Sequence, residues 1–390
     1  MSRSDVVVVG GGVVGAASAL ALARAGLEVT LVEARSPQTW DADAEVDLRV
    51  FALAPSSARL LDNLGVWASV REARISPYSG MQVHDASNGA SLEFDAAANG
   101  RECLGWIVEN GLLVDRLWQA LRDHGVRCHC PARVESVSQR DDHVQLLLAD
   151  GTGLRAGLLV AADGARSPMR ELAGIACRRR DYHQRGVVAH VRATRRHDGS
   201  AWQRFLPHGP LAMLPLADGR CSIVWTLPEC EAQRVLKLDD AAFMDELGVA
   251  SDFHLGPITE TTPRAAFPLQ LQLAQRYHAP RMVLVGDAAH VVHPLAGQGV
   301  NLGLRDVSEL RDLLLAAREA GQDIAADHVL ARYARRRRSA DTLDAIGMDA
   351  IQRSFAWQSP ALVAARGLGT RLANGLGPLK RALSAHAAGE

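Results

Sequence analysis

The stretch VVVVGGGVVGAASALALA, residues 6–23, decides the fold of this chain. A β-branched run, Val6–Val9, is followed by the glycine turn GGGVVG and then by an Ala- and Leu-rich run. This order predicts a buried parallel strand, a tight turn and a helix. In such a turn Gly10 makes the bend, Gly12 lets backbone N–H groups approach a pyrophosphate, and Gly15 lets the helix pack closely on the strand.

The same stretch has some features of an export signal, because Arg3 precedes it and it ends in small residues. Asp5 directly before the run, and the four glycines within it, argue against a secretory signal and against a lipid-spanning helix. A second apolar run, residues 27–32, ends in Glu33, about 20 residues past the glycines, where a carboxylate can accept both hydroxyls of an adenosine ribose. We therefore expect a dinucleotide site in the mature protein.

The composition is that of a large folded chain and not of a nucleic-acid binder. The 390 residues are 48% hydrophobic and carry a net charge of -1, which predicts a large core divided among two or more domains. The six cysteines form no Cys-x-x-Cys pair, so we expect free thiols in a cytoplasmic protein. Cys128-His129-Cys130 predicts no metal site, because successive side chains on a strand point to opposite faces.

Two later segments carry further motifs. LLVAADGARSPMR, residues 158–170, places Asp163-Gly164 after a buried strand. MVLVGDAAHVVHPLAGQGVNLG, residues 282–303, contains Gly286-Asp287 after another strand and Gly297-Gln298-Gly299 before a helix. Glycines at this place let the backbone approach a flat ring, and the helix directs its first N–H groups and its positive dipole end toward that ring.

These motifs together resemble the FAD-dependent aromatic monooxygenases typified by 4-hydroxybenzoate hydroxylase. The similarity is greatest to the ubiquinone-biosynthesis hydroxylases of the UbiH/UbiF/VisC group, and it runs nearly from end to end. It is carried by GGGVVG, DLRVFAL, LGVW, IVEN, ADG, GPLAMLPL, CSIVW and GDAAHVVHPLAGQGVNLGLRD. The resemblance implies an α/β fold: a Rossmann-like FAD-binding domain of the GR2 type, an inserted antiparallel-sheet substrate domain and a helical C-terminus.

The resemblance also implies roles for individual residues. Glu33 would bind the adenosine ribose, Arg49 the pyrophosphate, and Asp287 a ribityl hydroxyl. The implied cofactor-binding residues are Gly10, Gly12, Val14, Gly15, Glu33, Ala34, Arg35, Arg49, Asn110, Val134, Asp163, Gly164, Gly286, Asp287, Pro294, Gly297, Gly299, Val300 and Asn301. The candidates for lining the reaction cavity are His290, Pro294 and Gln298, chosen by position, with no certain base. No metal is expected at Asp287, His290 and His293.

The expected domain organisation is discontinuous. Residues 1–75, 105–175 and 276–345 would form the FAD-binding domain, residues 76–104 and 176–275 a substrate-binding β-sheet domain, and residues 346–390 C-terminal helices. Strand-like runs separated by turn residues within 176–275 indicate the antiparallel sheet. Four apolar residues of this sheet would belong to a core or, as a second interpretation, line a cavity for a prenylated ring: Trp202, Phe205, Leu214 and Trp225.

The activity implied by the resemblance is hydroxylation of a polyprenyl phenol in ubiquinone biosynthesis. FAD would be the cofactor, NADPH or NADH the transient reductant and O2 the co-substrate, with oxygen delivered through a flavin C4a-hydroperoxide. Hydroxylation of a small soluble phenol, and a flavin reductase or redox sensor without oxygen transfer, are the alternatives. The ring position stays open among C1, C5 and C6, with C5 or C6 favoured.

The C-terminal part contains the arginine run Arg335–Arg338 and several leucines at helical spacing. Four consecutive residues spread around a helix, so the run predicts a solvated surface. As a hypothesis, this region contacts an anionic membrane or other ubiquinone-biosynthesis proteins, which would make the chain a peripheral membrane protein.

Overall fold

The computed structural model describes residues 2–292, 299–356 and 359–375, together with residues 385 and 388. The strands are β1 (Ser2–Val9), β2 (Val29–Val32), β3 (Val50–Leu53), β4 (Ser76–Tyr78), β5 (Gly80–Asp85), β6 (Ser91–Asp95), β7 (Gly105–Glu109), β8 (Arg127–His129), β9 (Val134–Gln139), β10 (Val144–Leu148), β11 (Gly153–Ala161), β12 (Cys177–Ala193), β13 (Ser200–Leu206), β14 (Gly209–Pro215), β15 (Cys221–Pro228), β16 (Ile258–Thr261), β17 (Ala265–Ala274), β18 (His278–Ala279), β19 (Met282–Leu284) and β20 (His290–Val291). The helices are α1 (Val13–Arg24), α2 (Pro55–Asn63), α3 (Trp67–Arg71), α4 (Asn110–Asp123), α5 (Pro168–Leu172), α6 (Glu229–Val235), α7 (Asp240–Ala250), α8 (Gly299–Glu319), α9 (Asp327–Ala356) and α10 (Pro360–Gly375).

The opening stretch folds as the strand, turn and helix that its sequence predicts. Strand β1 pairs in parallel with β2 on one side and with β11 on the other. Parallel pairing continues outward to β19 and to β8, which gives the order β18-β19-β11-β1-β2-β8. The side chains of Val6, Val7 and Val8 are completely buried, as expected for a central strand with both faces covered. This sheet confirms the Rossmann-like part of the predicted fold.

A second sheet contains the strands predicted within residues 176–275. Its order is β20-β17-β12-β15-β14-β13-β5-β6, with β16 beside β12. The pairs β12–β15, β15–β14 and β14–β13 are antiparallel, whereas β13 and β5 are parallel. The predicted antiparallel sheet is therefore confirmed.

The two faces of this second sheet contact different parts of the molecule. Trp202 and Trp225 belong to a core on the side of α6 and α7. On the opposite face, Leu214 joins a core with the third sheet, β3-β7-β4. Phe205 also lies on that opposite face and stacks on Phe355 of α9, with ring centroids 3.8 Å apart. All four side chains have less than a tenth of their surface exposed, which favours the core interpretation over the cavity interpretation.

The C-terminal helices pack on the far end of the second sheet. Arg366 of α10 makes a buried ion pair with Asp85 of β5, Nε to Oδ2 2.6 Å. Helix α9 runs without interruption through residues 345 and 346, where one of the expected domain borders lies. No helix within the described ranges is both long and apolar enough to cross a bilayer.

Candidate cofactor site

Four of the sequence motifs meet at one edge of the parallel sheet. Strands β1, β2, β11 and β19 run in the same direction, so their carboxyl ends lie side by side. Backbone hydrogen bonds continue past these ends, from Gly10 N to Val32 O (2.8 Å) and from Ala162 N to Val9 O (2.8 Å). Open α/β sheets bind ligands in the crevice outside the carboxyl ends of their strands. The glycine turn, Glu33, the Asp163-Gly164 pair and the Gly286-Asp287 pair all follow strands that end at this crevice.

The three motif glycines differ in what surrounds them. A Cβ on Gly10, where φ is +107°, would lie 2.3 Å from the carbonyl oxygen of Ala162, and one on Gly15 would lie 1.9 Å from the carbonyl oxygen of Gly10. A Cβ on Gly12 would meet no heavy atom within 4 Å. Gly12 precedes α1 and provides no side-chain cap, so N–H groups of the first turn face this open space. Such a cradle fits the phosphates of a dinucleotide.

Glu33 borders the next part of the crevice. Its half-buried carboxylate accepts hydrogen bonds from Gly11 N and from Arg35 N, the latter at 2.9 Å. Two carboxylate oxygens offer about four acceptor positions, so positions remain for ribose hydroxyls. A cleft beside Glu33 is lined by Ala34, Pro131, Ala132, Arg133, Leu148, Ala149 and Asp150. Val134, the first residue of β9, pairs with Leu148 at this cleft.

Arg49 and Asn110 lie together although 61 positions separate them in the sequence. The backbone N–H of Asn110 donates to the carbonyl oxygen of Arg49 at 2.9 Å, because β3 and β7 are antiparallel neighbours. The guanidinium of Arg49 is exposed and sits 5.3 Å above the ring of Phe51. The segment before Arg49 is fixed by Glu109, which accepts from Asp47 N at 2.8 Å. The backbone of Arg49, whose guanidinium is exposed, is therefore joined directly to the first residue of α4.

Asp163 and Arg170 connect two of the motifs. One oxygen of Asp163 accepts from Met169 N at 2.9 Å, while Oδ1 is buried without a partner among the described residues. Burial raises the pKa of Asp163. The buried guanidinium of Arg170 donates to the carbonyl oxygens of Ala165 and Ala288, both at 2.9 Å. Sequence reasoning assigned Arg170 no role, because its partner at Ala288 is 118 positions away.

The Gly286-Asp287 turn presents an exposed carboxylate. Gly286 has φ +58° and is buried, whereas the side chain of Asp287 is exposed. The half-buried side chain of Val14 packs on Gly286 and on Gly303. A Cβ added to Gly303 would lie 2.5 Å from Val14 Cγ2. Val14 therefore acts by packing α1 against this turn.

Behind the turn lies a group of four buried charged residues, which we call the buried ionic cluster: His290, Asp306, Arg337 and Asp341. Nε2 of His290 is 2.7 Å from Oδ2 of Asp306 and 3.6 Å from Oδ2 of Asp341. The guanidinium of Arg337 reaches both carboxylates at 2.5 Å. Burial disfavours a charged imidazole, but the two carboxylates outweigh it and raise the pKa of His290 to about 9.

The structure corrects two interpretations of this region. His290 was a candidate for lining the reaction cavity, but its side chain is 2% exposed and bonded to Asp306, which favours a positioning role. The prediction of a solvated arginine run is wrong for Arg337, because helix α9 turns this side chain toward α8. Arg335, Arg336 and Arg338 are exposed as predicted.

Three side chains of the buried ionic cluster are of the kinds that bind metal ions. Ligand atoms of His290, Asp306 and Asp341 lie within 4.8 Å of one another. The guanidinium of Arg337 and the protonated imidazole of His290 together balance the two carboxylates, and a further cation would be repelled by them. The expectation of no metal stays a prediction.

Three of the expected site residues, Pro294, Gly297 and Gln298, lie outside the described residues, as does His293. Gly299, Val300 and Asn301 are the first described residues of α8. The side chain of Asn301 donates to Ala52 O (2.8 Å) and accepts from Ala54 N (2.9 Å) and Ser57 Oγ (2.7 Å). It ties α8 to β3 and α2, and three of the four hydrogen-bonding positions of the side chain are used by the protein itself.

The fold and the crevice define a dinucleotide-binding oxidoreductase, and comparison with known proteins agrees. A family model described as an FAD binding domain matches residues 3–343. The 3-demethoxyubiquinol 3-hydroxylase of Escherichia coli is 38% identical over 99% of this chain and 98% of its own length. The ubiquinone hydroxylase UbiL of Rhodospirillum rubrum is 39% identical over 99% of this chain and 90% of its own length. The p-nitrophenol 4-monooxygenase PnpA of Pseudomonas putida DLL-E4 shares the fold, with a TM-score of 0.80 and 22% sequence identity. The match covers 98% of this chain and 97% of PnpA.

The chain therefore belongs to the FAD-binding family, in the branch of the ubiquinone-biosynthesis hydroxylases. This membership confirms the resemblance that the motifs indicated.

The titration of His290 predicts how stability depends on pH. Its pKa is about 9 in the folded chain and about 6.5 in an unfolded one, so its contribution is complete below pH 6.5 and declines between pH 6.5 and 9. The full decline is on the order of 3 kcal/mol. Urea unfolding between pH 6.5 and 9.5 would measure it. His290→Gln is expected to flatten the curve, and an unchanged slope in this variant would contradict the assignment.

Proposed function

We propose that this chain is an FAD-dependent monooxygenase that hydroxylates the aromatic ring of a polyprenyl phenol in ubiquinone biosynthesis. NADPH or NADH would supply the electrons and O2 the oxygen atom. The observation that carries the proposal is the meeting of the glycine turn, Glu33 and Asp287 at one crevice, in a chain whose named relatives match it over nearly its whole length. The name of the first relative specifies a demethoxyubiquinol ring and position 3, and product analysis would decide the position for this chain.

We assign the cofactor contacts along the crevice in order. The pyrophosphate would lie on the turn of Gly10, Gly12 and Gly15, with Arg49 beside it. The adenosine would lie in the cleft at Glu33, Ala34, Arg35 and Val134. The ribityl chain and the ring would extend past Asn110 and Asp287 toward α8. Asp163, Gly164, Gly286, Gly299, Val300 and the backbone of Asn301 complete the proposed set.

Bound FAD supplies the electron transfer and the oxygen activation, and the protein supplies binding, orientation and exclusion of water. The substrate ring would lie on the face of the second sheet that bears Leu214. On that face, one row of residues contacts the third sheet and another contacts α9 and α10. Between these two rows lies a third, in which each residue pairs with the next across neighbouring strands: Val188, Val224, Ala212 and Gln203. This mainly apolar row is our proposed floor of the reaction cavity.

Peripheral membrane contact belongs to the same proposal, because a polyprenyl substrate is lipid-soluble. Leu343 and Ile346 of α9 are 70% and 60% exposed. Arg332, Arg335 and Ser339 precede them at helical spacing on the same exposed side. A basic segment followed by an apolar one on a single helix face suits an anionic bilayer surface.

The glycine turn gives a matched pair of variants that separates folding from cofactor binding. Gly15→Ala is expected to lower the melting temperature, because its Cβ would collide with the carbonyl oxygen of Gly10. Gly12→Ala is expected to leave the melting temperature of the FAD-free protein unchanged and to weaken FAD binding by about tenfold, because the methyl group would occupy the cradle. Thermal denaturation and FAD titration measure both. Normal FAD binding by Gly12→Ala would contradict the assigned pyrophosphate position.

Anaerobic stopped-flow reduction by NADPH tests the hydroxylase class. We expect a prenylated phenol to accelerate flavin reduction by about tenfold or more, because substrate binding completes the reactive arrangement. Val224→Phe fills the proposed cavity floor and should remove the acceleration while the flavin spectrum is retained. A soluble phenol that accelerates equally well would favour the small-phenol alternative. A rate indifferent to every phenol would favour the reductase or sensor alternative.

Vesicle sedimentation tests the membrane contact. The chain should sediment with vesicles containing phosphatidylglycerol, and Leu343→Ser with Ile346→Ser should reduce the bound fraction about fivefold. Val249→Ser is the control, because Val249 is equally exposed (67%) on a different helix. Equal binding by all three proteins, or none by the unaltered chain, would contradict the proposed surface.

A further inference from the structure

One buried carboxylate holds both ends of the segment that carries Asp287. Oδ2 of Asp306, on α8, accepts hydrogen bonds from Gly286 N at 2.8 Å and from His290 Nε2 at 2.7 Å. Gly286 and His290 bracket the segment 286–290, whose Asp287 is exposed at the crevice. Because both ends are bonded to the same carboxylate, Asp306 anchors the segment on both sides of Asp287.

Helix α9 supplies the cation that allows Asp306 to be ionised in the protein interior. Asp306 and Asp341 have no exposed surface, and an unpaired buried carboxylate is strongly destabilising. Arg337 of α9 pairs with both carboxylates at 2.5 Å. With His290 protonated, the four groups of the buried ionic cluster sum to zero charge. Tyr277 and Tyr333 also lie against this cluster, and the hydroxyl of Tyr333 donates to Leu284 O in β19 at 3.0 Å.

The arrangement differs from an ordinary core ion pair in what it bonds to. Asp306 accepts a hydrogen bond from the N–H of Gly286, the residue directly before Asp287. The guanidinium of Arg337 also donates to the carbonyl oxygen of Leu302 in α8, at 3.4 Å. The cluster thus joins α9, α8 and the crevice turn by charge-assisted hydrogen bonds, which are stronger and more directional than neutral ones. Any shift of Arg337 is transmitted to the turn through Asp306.

We propose that Asp306 and Arg337 are positioning residues for FAD: their ion pair orients the Asp287 segment so that the Asp287 carboxylate can accept a ribityl hydroxyl. The affinity for FAD therefore depends on a side chain of α9 that does not reach the crevice. The inference rests on the FAD-binding part of the proposed function and is independent of which phenol is hydroxylated. A purely structural role would lower stability and would have no specific link to Asp287.

A double-mutant cycle on FAD affinity tests the link. The FAD-free protein, prepared from the holoprotein, is titrated with FAD by flavin fluorescence. Asp306→Asn is expected to raise the Kd about tenfold, whereas in a chain that already carries Asp287→Asn the same change should raise it less than about twofold. A Kd for Asp306→Asn within twofold of the unaltered chain would overturn the proposal. An equal, tenfold effect in both backgrounds would overturn it as well.

Asp349→Asn is the matched control. Asp349, also on α9, pairs with Arg180 at 3.0 Å, and among the described residues its side chain forms no hydrogen bond with the crevice turn, so FAD affinity should not change. If Asp306→Asn does not fold, Arg337→Lys decides, because lysine keeps the charge but lacks the planar fork with which Arg337 pairs with both carboxylates, and the same cycle with Asp287→Asn applies. An unaltered chain that binds no FAD would contradict the FAD assignment itself, which is a different result from a failed cycle.

Discussion

The close approach of helix α1 to strand β1 is the constraint on which the rest of the structure depends. The carbonyl oxygen of Gly10 occupies the place that a side chain on Gly15 would need. This contact brings the first turn of α1 over the end of the central strand, where its N–H groups face open space at Gly12. The second approach, of α1 to Gly286 and Gly303 through Val14, sets the distance between the phosphate cradle and the Asp287 turn. The same helix, α1, therefore positions both the phosphate cradle and the Asp287 turn.

Much of this arrangement was predictable because its signals are local. The glycine spacing and the β-branched run specify strand, turn and helix within 20 residues, and the alternating runs after residue 176 specify antiparallel strands. Family resemblance then supplied Arg49 and Asn110, and the structure brings these two together. What sequence reasoning missed depends on distant partners. Arg337 lies in a run of four arginines that looks solvated, and its burial depends on Asp306, 31 positions earlier, as well as on Asp341 one helical turn later.

His290 and Asn301 illustrate the same limit. Both lie in a motif that resembles a cofactor-binding segment, yet both side chains are engaged by the protein itself. A position next to a cofactor does not reveal whether the side chain or the backbone faces it. The expected border after residue 345 falls inside helix α9, which continues to Ala356.

The proposed function requires that the chain transfer an oxygen atom from O2 to a prenylated phenol. Turnover under ¹⁸O2 with NADPH and a short-chain prenyl phenol, followed by mass spectrometry of the product, measures this transfer. We expect one added oxygen atom carrying the label, with the ring position read from fragment ions. Consumption of NADPH and O2 that yields only hydrogen peroxide, with the phenol unchanged across prenyl lengths, would contradict it.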